Sequence, residues 1–301
     1  MAGRVSTAGM VMSSRVKPSR ATMIAALALS AGCAPSLATM QPAHVAPKGH
    51  VQATMGFEVS APTGTINRII DTGKTLSDVA RTQMDLTPAQ EQQVFEAGVN
   101  VVVVPPSLGF HFAAAYTLVE HLEVGVRYAG GGWRFGSRYQ ILEHEDGPFD
   151  LTVGVGVGRA AFEIPLTSYI PILEVEDFTR WTVDVAPLQI GTSRSWYRVW
   201  GGPKFLYSQF RTALRLSIPG IDTPDLASFE GHAIYYGGQA GFALGYRSLF
   251  FAVELTLTNV TGTGDVTAAS PARDGSPAPI ARTANLSGFV IYPTFGLLGE
   301  F

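Results

Sequence analysis

The run Phe149-Asp150-Leu151-Thr152-Val153-Gly154-Val155-Gly156-Val157-Gly158 decides the fold. Successive side chains of a β-strand point to opposite faces, and here one face is Phe, Leu and Val while the other is Asp, Thr and Gly. A helix would scatter both sets around its circumference, because its faces repeat about every 3.6 residues.

The same alternation extends in both directions. Upstream, Val51, Ala53, Met55, Phe57 and Val59 oppose Gln52, Thr54, Gly56 and Glu58, and Leu108, Phe110, Phe112, Ala114, Tyr116 and Leu118 oppose Gly109, His111, Ala113, Ala115 and Thr117. Leu122, Val124, Val126 and Tyr128 oppose Glu123, Gly125 and Arg127; Trp133, Phe135, Tyr139 and Ile141 oppose Arg134, Gly136, Arg138 and Gln140. Downstream come weaker strands at 181–192, where Pro187 signals a bulge, and at 195–208. Ile234, Tyr236, Phe242, Leu244 and Tyr246 then share a face, as do Leu249, Phe251, Val253, Leu255 and Leu257, and finally Phe289, Ile291, Phe295, Leu297 and Phe301.

These segments predict an all-β fold: a transmembrane, antiparallel, up-and-down β-barrel of about ten strands, with eight or twelve as the alternatives. A soluble sandwich or lipocalin-like barrel would turn the apolar faces inward and leave an outer surface made largely of Gly. Composition agrees with lipid-facing strands: of 301 residues only 15% are charged, 33 are Gly, and the mean hydropathy is +0.19, whereas about a quarter of a soluble domain is charged. The net charge of -3 gives no basis for a nucleic-acid partner.

Residues 1–32 read as a lipoprotein-type signal peptide. Arg4, Arg15, Lys17 and Arg20 precede the apolar run Ala21–Ala31, which is too short to span a bilayer. The run ends in Leu29-Ser30-Ala31-Gly32-Cys33, which resembles the lipobox of bacterial lipoproteins, with Ser30 where that family usually has Leu. The resemblance implies cleavage before Cys33, its acylation, and passage to the outer membrane; a secretory signal cut near Ala34 is the alternative. Cys33 is the only cysteine, so no internal disulfide is expected. The Pro- and Ala-rich residues 33–49 are expected to form a flexible periplasmic tether, leaving 50–301 for the barrel.

Connections of 61–106, 160–180, 209–231 and 262–286 are long, whereas those at 119–121, near 193 and at 247 are tight, with short links also at 130–132 and 143–148. Outer-membrane barrels keep short turns in the periplasm and long loops outside, so both barrel termini are expected to be periplasmic. Tyr128, Trp133, Trp181 and Tyr207 then mark the external rim, with Tyr116, Phe149, Trp196, Tyr246 and Phe301 at the periplasmic one. Phe301 resembles the C-terminal aromatic recognised by the barrel-assembly machinery, with Gly299 where that pattern prefers an apolar residue. Within the first external loop, Thr87-Pro88-Ala89-Gln90 offers an N-cap, an N1 proline and a capping box, so a short helix is expected to about Ala97, followed by Val101–Val104 as an extension of the second strand. The apolar loop 160–180, with Ile164, Tyr169, Ile170 and Leu173, is expected to act as a lid, to meet a partner, or to pack on that helix.

On the polar faces Glu58, Glu123, Asp150, Asp184 and Glu254 match Arg127, Arg134, Arg138, Arg198 and Lys204 in number. Buried charges must be paired, so these residues, with His111 as a hydrogen-bonded filler, are expected to form an ion-pair network in a filled lumen. The pattern over 50–301 resembles small bacterial outer-membrane β-barrel proteins. The expected role is a lipid-anchored structural or interaction component of the cell envelope, its partners being outer-membrane lipid, the barrel-assembly machinery and an envelope protein. One alternative is a narrow, porin-like channel passing Arg127, Arg134 and Arg138; another is a rim-active hydrolase, for which His232 near Glu230 and Asp225 is the sole candidate. The sequence contains no Gly-x-Ser-x-Gly elbow and no phosphate-binding loop, so no catalytic residue, metal or cofactor is expected.

Overall fold

Ten strands, β1 (Val51–Pro62), β2 (Ser107–Val119), β3 (Leu122–Ala129), β4 (Gly132–Leu142), β5 (Asp150–Ile164), β6 (Leu173–Ser193), β7 (Tyr197–Leu216), β8 (Asp225–Tyr246), β9 (Leu249–Pro271) and β10 (Pro277–Glu300), close into one antiparallel up-and-down barrel. Each pairs with its neighbours in sequence, and β1 closes on β10 from Gln52↔Glu300 to Pro62↔Val290. The computed structural model describes residues 34–82, 87–143, 148–164, 173–216, 225–271 and 277–301; the signal segment and Cys33 lie outside them, as do 165–172 of the expected lid. Tight turns gather at one end of the barrel, here called the turn end. Two helices, α1 (Thr63–Thr82) and α2 (Pro88–Val103), mark the other, the helix end.

The wall is uneven. β1 to β4 have 12, 13, 8 and 11 residues, close to the roughly 9–11 that cross a bilayer, whereas β6 to β10 have 21, 20, 22, 23 and 24. The expected long loops at 160–180, 209–231 and 262–286 are therefore mostly strand. The alternation in them escapes notice because its polarity inverts. Along β9 the outward series Leu249, Phe251, Val253, Leu255, Leu257 gives way to Asn259, Thr261, Thr263 and Asp265, while the inward series passes from Glu254, Thr256 and Thr258 to buried Val260. Beyond Leu257 the outer face turns polar and the inner face becomes a hydrophobic core. The bulge expected at Pro187 is present, as a register shift between Val185 and Ile190.

The inner core of the tall wall combines Phe178, Leu206, Phe210, Phe229, Tyr235, Val260, Leu286 and Val290 with Val99, Val103 and Val104 of the helical segment. Helix α2 begins with the expected capping box at Thr87 and Gln90, but it runs to Val103, beyond Ala97. Val101–Val103 thus belong to its last turn and do not lengthen β2. The β-branched run favours a strand intrinsically, and burial against the tall wall overrides that preference. Arg180 donates from Nη2 to the Val103 carbonyl at 2.8 Å, capping the negative helix end. Helix α1 occupies a stretch expected to be loop, although Ile66, Ile69 and Ile70 recur in it at helical spacing.

The two helices also cover an open edge. Pairing of β10 with β1 stops at Val290, whereas pairing with β9 continues to Pro277↔Pro271, so that among the described residues no strand meets the carbonyls of the upper β10 on that side. Gln92 donates to the Thr283 carbonyl at 3.1 Å, Arg68 and Asn100 to that of Asn285 at 3.4 Å, and Thr63 to that of Phe289 at 3.1 Å. Side-chain donors thereby satisfy acceptors that a bare sheet edge would offer to another chain.

Candidate functional site

Of the expected 33–49 tether, the stretch 34–46 does not hang below the barrel. It lies inside it, with Ala34, Leu37, Ala38, Met40, Ala43, Val45 and Ala46 buried, which corrects the expectation of a flexible tether. The physical reason is mutual need. A Pro- and Ala-rich length of chain without helix or sheet has backbone groups to satisfy, and a lumen lined by charges must pair them.

Starting at the turn end, the amide of Gly49 donates to the Thr117 carbonyl at 3.0 Å and the chain turns inward. Val45 N–H donates to Gln140 Oε1 at 3.0 Å, and Gln52 Nε2 donates to the His44 carbonyl at 3.3 Å. Further in, Arg138 Nη1 donates to the Pro42 carbonyl at 2.5 Å and Gln189 Nε2 to that of Gln41 at 2.6 Å. Glu254 is the tightest clamp. Its carboxylate accepts from Thr39 N–H at 2.6 Å, Met40 N–H at 2.9 Å, the Thr39 hydroxyl at 3.0 Å and the Trp200 indole at 2.8 Å. Toward the helix end, Ser36 Oγ donates to Glu58 at 2.9 Å and Arg134 Nη2 to the Ser36 carbonyl at 2.6 Å.

All the charges expected on the inner wall are found there. Glu58 meets Arg127 at 2.8 Å with His111 Nδ1 3.7 Å away; Glu123 meets Arg138 at 2.7 Å; and Asp184 holds both Arg134 at 2.6 Å and Lys204 at 2.8 Å. Arg198 pairs with Glu300 at 2.7 Å, and Asp150 accepts from Gln140 at 3.1 Å. Glu254, by contrast, is matched by the backbone of the threaded segment. Sequence reasoning misses Glu300, Gln52, Gln140 and Arg180 as members, because charge balance alone does not point to them and Arg180 falls in an expected loop. The remaining signal is the run of small residues Ala34, Ala38, Ala43 and Ala46, sized for a narrow bore.

The opposite side of the threaded segment is apolar: Met40 and Ala43 pack with Trp200, Ala243, Phe250, Ala252 and Leu298. Trp200 fits because Gly241 faces it; a Cβ there would lie 2.4 Å from the indole ring. A small cavity remains between the segment and the β2–β7 wall, edged by Arg127, Arg134, Arg138 and Lys204.

The outer face differs in kind. Met55, Phe110, Phe135, Val157, Phe205, Phe251, Leu255 and Leu297 are all exposed, as are Tyr128, Trp133, Trp181 and Tyr207 at one rim and Tyr116, Trp196, Tyr246 and Phe301 at the other. Phe301 also joins the barrel seam, its backbone exchanging hydrogen bonds with Val51 at 2.9 and 3.0 Å. Higher up, His232 is stacked on Tyr207 on the outer wall, and Glu230 pairs with Arg211 at 2.8 Å.

No family model and no curated protein matches the chain. Solved structures with similarity include the outer-membrane protease OmpT of Escherichia coli (TM-score 0.44, 8% identity, 87% of this chain and 100% of that one). Others are a major outer membrane protein of Thermus thermophilus (0.34, 13%, 64% and 99%) and Ail, the attachment invasion locus protein of Yersinia pestis (0.28, 11%, 84% and 99%).

Proposed function

We propose that this protein is a bacterial outer-membrane barrel, sealed by its own N-terminal segment, that serves as a structural or interaction component of the envelope and does not conduct in its resting state. The exposed apolar belt with its two aromatic rims supports the membrane assignment, since only a closed barrel satisfies every strand hydrogen bond in lipid. Short connections at the turn end support placing that end, with Val51 and Phe301, in the periplasm. In this reading Cys33 carries an acyl anchor, Phe301 is the signal for the assembly machinery, and the tall wall with its helices is the surface offered to an envelope partner.

The observation that carries the sealed state is the clamp of Thr39 and Met40 on Glu254, backed by ion pairs on one side of the segment and apolar packing on the other. A second reading, a narrow channel, is favoured by the cavity edged by Arg127, Arg134, Arg138 and Lys204. Planar-bilayer recording separates them. The full chain is expected to be silent and a variant lacking 34–46 to pass a steady current; a stable open state of the full chain that changes when Arg134 and Arg138 become Gln would refute the sealed reading.

A further inference from the structure

On the inner wall, glycines separate the arginines of β3 and β4. The inward positions read Glu123, Gly125 and Arg127 on β3, Arg134, Gly136 and Arg138 on β4, and Gly154 and Gly156 on β5. The register sets Gly125, Gly136 and Gly156 side by side in one row, which Asp184 of β6 ends. The next row toward the helix end holds Arg127 directly opposite Arg134, and the next toward the turn end holds Glu123 opposite Arg138. Three adjacent residues without a side chain thus leave a hollow between two charged rows. This hollow is the cavity beside the threaded segment, of about 80 Å³, faced by Ala38, Thr39 and Gln41 and bordered by Lys204. One water needs roughly 10–15 Å³ of such space, so the hollow has room for a ligand of several heavy atoms.

The donors around it are unequally engaged. Arg138 directs Nε and Nη2 to Glu123 and Nη1 to the Pro42 carbonyl, and Arg134 directs Nη1 to Asp184 and Nη2 to the Ser36 carbonyl. Arg127 differs. Its Nη2 meets Glu58 at 2.8 Å, but Nε and Nη1 meet no acceptor among the described residues, although the side chain is only 8% exposed. A guanidinium donor left unpaired out of water is costly, and like charges directly opposite on adjacent strands repel. Both costs fall on Arg127, and an anion beside it relieves both. Glu123 Oε2 is likewise buried and meets no donor. Four cations and two carboxylates line the cavity, with Glu58 outside the lining, so its charge is positive. The ligand that satisfies this set is an anion that accepts from Arg127 and still carries a hydrogen to give to Glu123.

We propose that this glycine-floored cavity binds a small protonated oxyanion of the inorganic phosphate class, and that the bound anion fastens residues 38–41 to the β3–β5 wall. Arg127 Nε and Nη1 are its donors, the Arg134 and Lys204 charges attract it, and Glu123 Oε2 accepts from its hydroxyl. That hydroxyl separates phosphate from sulfate, which has no proton to give near neutral pH. Chloride has the charge but neither the proton nor the spread of acceptor oxygens. The inference goes beyond the sealed reading and needs only that the segment be seated, whichever membrane carries the barrel. The two fail separately, the seal as a current in planar bilayers and the site as absent binding.

Equilibrium dialysis with radiolabelled inorganic phosphate tests this, on the full chain folded in detergent with the probe already present, so that entry into the lumen is not limiting. One saturable site per chain is expected, with a Kd below about 1 mM, and sulfate or chloride is expected to compete far less well than unlabelled phosphate. Arg127→Gln removes the charge-assisted donors and is expected to weaken binding by about tenfold or more. Arg198→Gln, which takes an equal charge from the Glu300 pair outside the cavity, is expected to bind like the native chain. Each variant is accepted only if it keeps heat-modifiable gel migration. Absence of a saturable site, competition by sulfate equal to that by phosphate, or equal loss in the two variants overturns the proposal. Should Arg127→Gln not fold, amide exchange of the native chain decides. Phosphate at about ten times its Kd is expected to slow the amides of Ala38, Thr39 and Gln41 by about tenfold, as the factor 1 + [L]/Kd requires, and to leave those of Val99–Val103 unchanged. Exchange that phosphate does not slow overturns the proposal.

Discussion

Glu254→Gln isolates the seal from the barrel. The substitution keeps the side-chain volume and leaves every strand hydrogen bond in place, but it exchanges one acceptor oxygen for an NH2 group. The native carboxylate receives two amides, a hydroxyl and an indole at 2.6 to 3.0 Å. After the change at least one buried N–H faces another donor, a loss of about 1–3 kcal/mol, and the surviving bonds lose their charge assistance, which roughly halves them. A total near 3 kcal/mol shifts the balance between seated and displaced segment by roughly 100-fold, at about 1.4 kcal/mol per decade. Two measurements follow: the frequency of current bursts in planar bilayers, and amide exchange over residues 36–45. Both are expected to rise by about that factor while the urea midpoint of the barrel stays put. Glu230→Gln, on the exposed outer pair with Arg211, serves as a control expected to change neither. If Glu254→Gln opens and exchanges like the native chain, the clamp does not hold the segment and the reasoning fails.

The inversion of polarity along β9 predicts opposite responses at two outward positions. Leu255→Arg is expected to cost ~2–4 kcal/mol in liposome unfolding titrations, whereas Thr263→Arg, above the belt, should stay within ~0.5 kcal/mol; equal costs would place the lipid boundary wrongly. Gly241→Leu is expected to displace Trp200 and destabilise by about 1–3 kcal/mol through overpacking, read as a red shift in tryptophan emission as the indole meets water. Arg180→Met removes the donor at the C-terminus of α2 and should raise amide exchange in Val99–Val104 several-fold while leaving that of β3 and β4 unchanged.

Much of the barrel is legible because one rule holds along each strand: in Phe149–Gly158 or Leu249–Leu257 the apolar set faces out of the barrel and the alternate set faces in. The inner charges are legible for the same reason, since Arg127, Arg134 and Arg138 fall on alternate positions facing away from lipid. Above the belt the rule reverses, and Val260, Phe229 and Phe210 are buried where the lipid rule would turn apolar side chains outward. Helix α1 is hidden because Thr, Gly and Asn dilute its isoleucine spacing. The threaded segment is illegible for a different reason. Its order comes from Glu254, Arg138, Gln189 and Glu58, residues separated from it by up to 215 positions, and a Pro-Ala stretch looks the same whether water or a charged lumen surrounds it.

Covalent attachment makes the seal the default state. The threaded segment joins β1 through Pro47–His50, a turn fixed by hydrogen bonds to Thr117 and between His50 and Pro47, so its effective concentration at the lumen is that of a very short linker, in the millimolar range or above. No soluble competitor entering from the turn end can match this easily, since it would have to replace the contacts with Glu254, Arg138 and Gln189 while the native segment remained tethered beside them. The other end lacks that protection. Ser36 and Leu37 are held by Glu58, Arg134 and the α2 core, and release there would proceed residue by residue from Ala34 toward Met40. An agent that opens this barrel therefore acts from the helix end, by releasing Ser36 and Leu37 from their partners or by lifting α2 from the tall wall, and the two routes differ in whether α2 loses its exchange protection first.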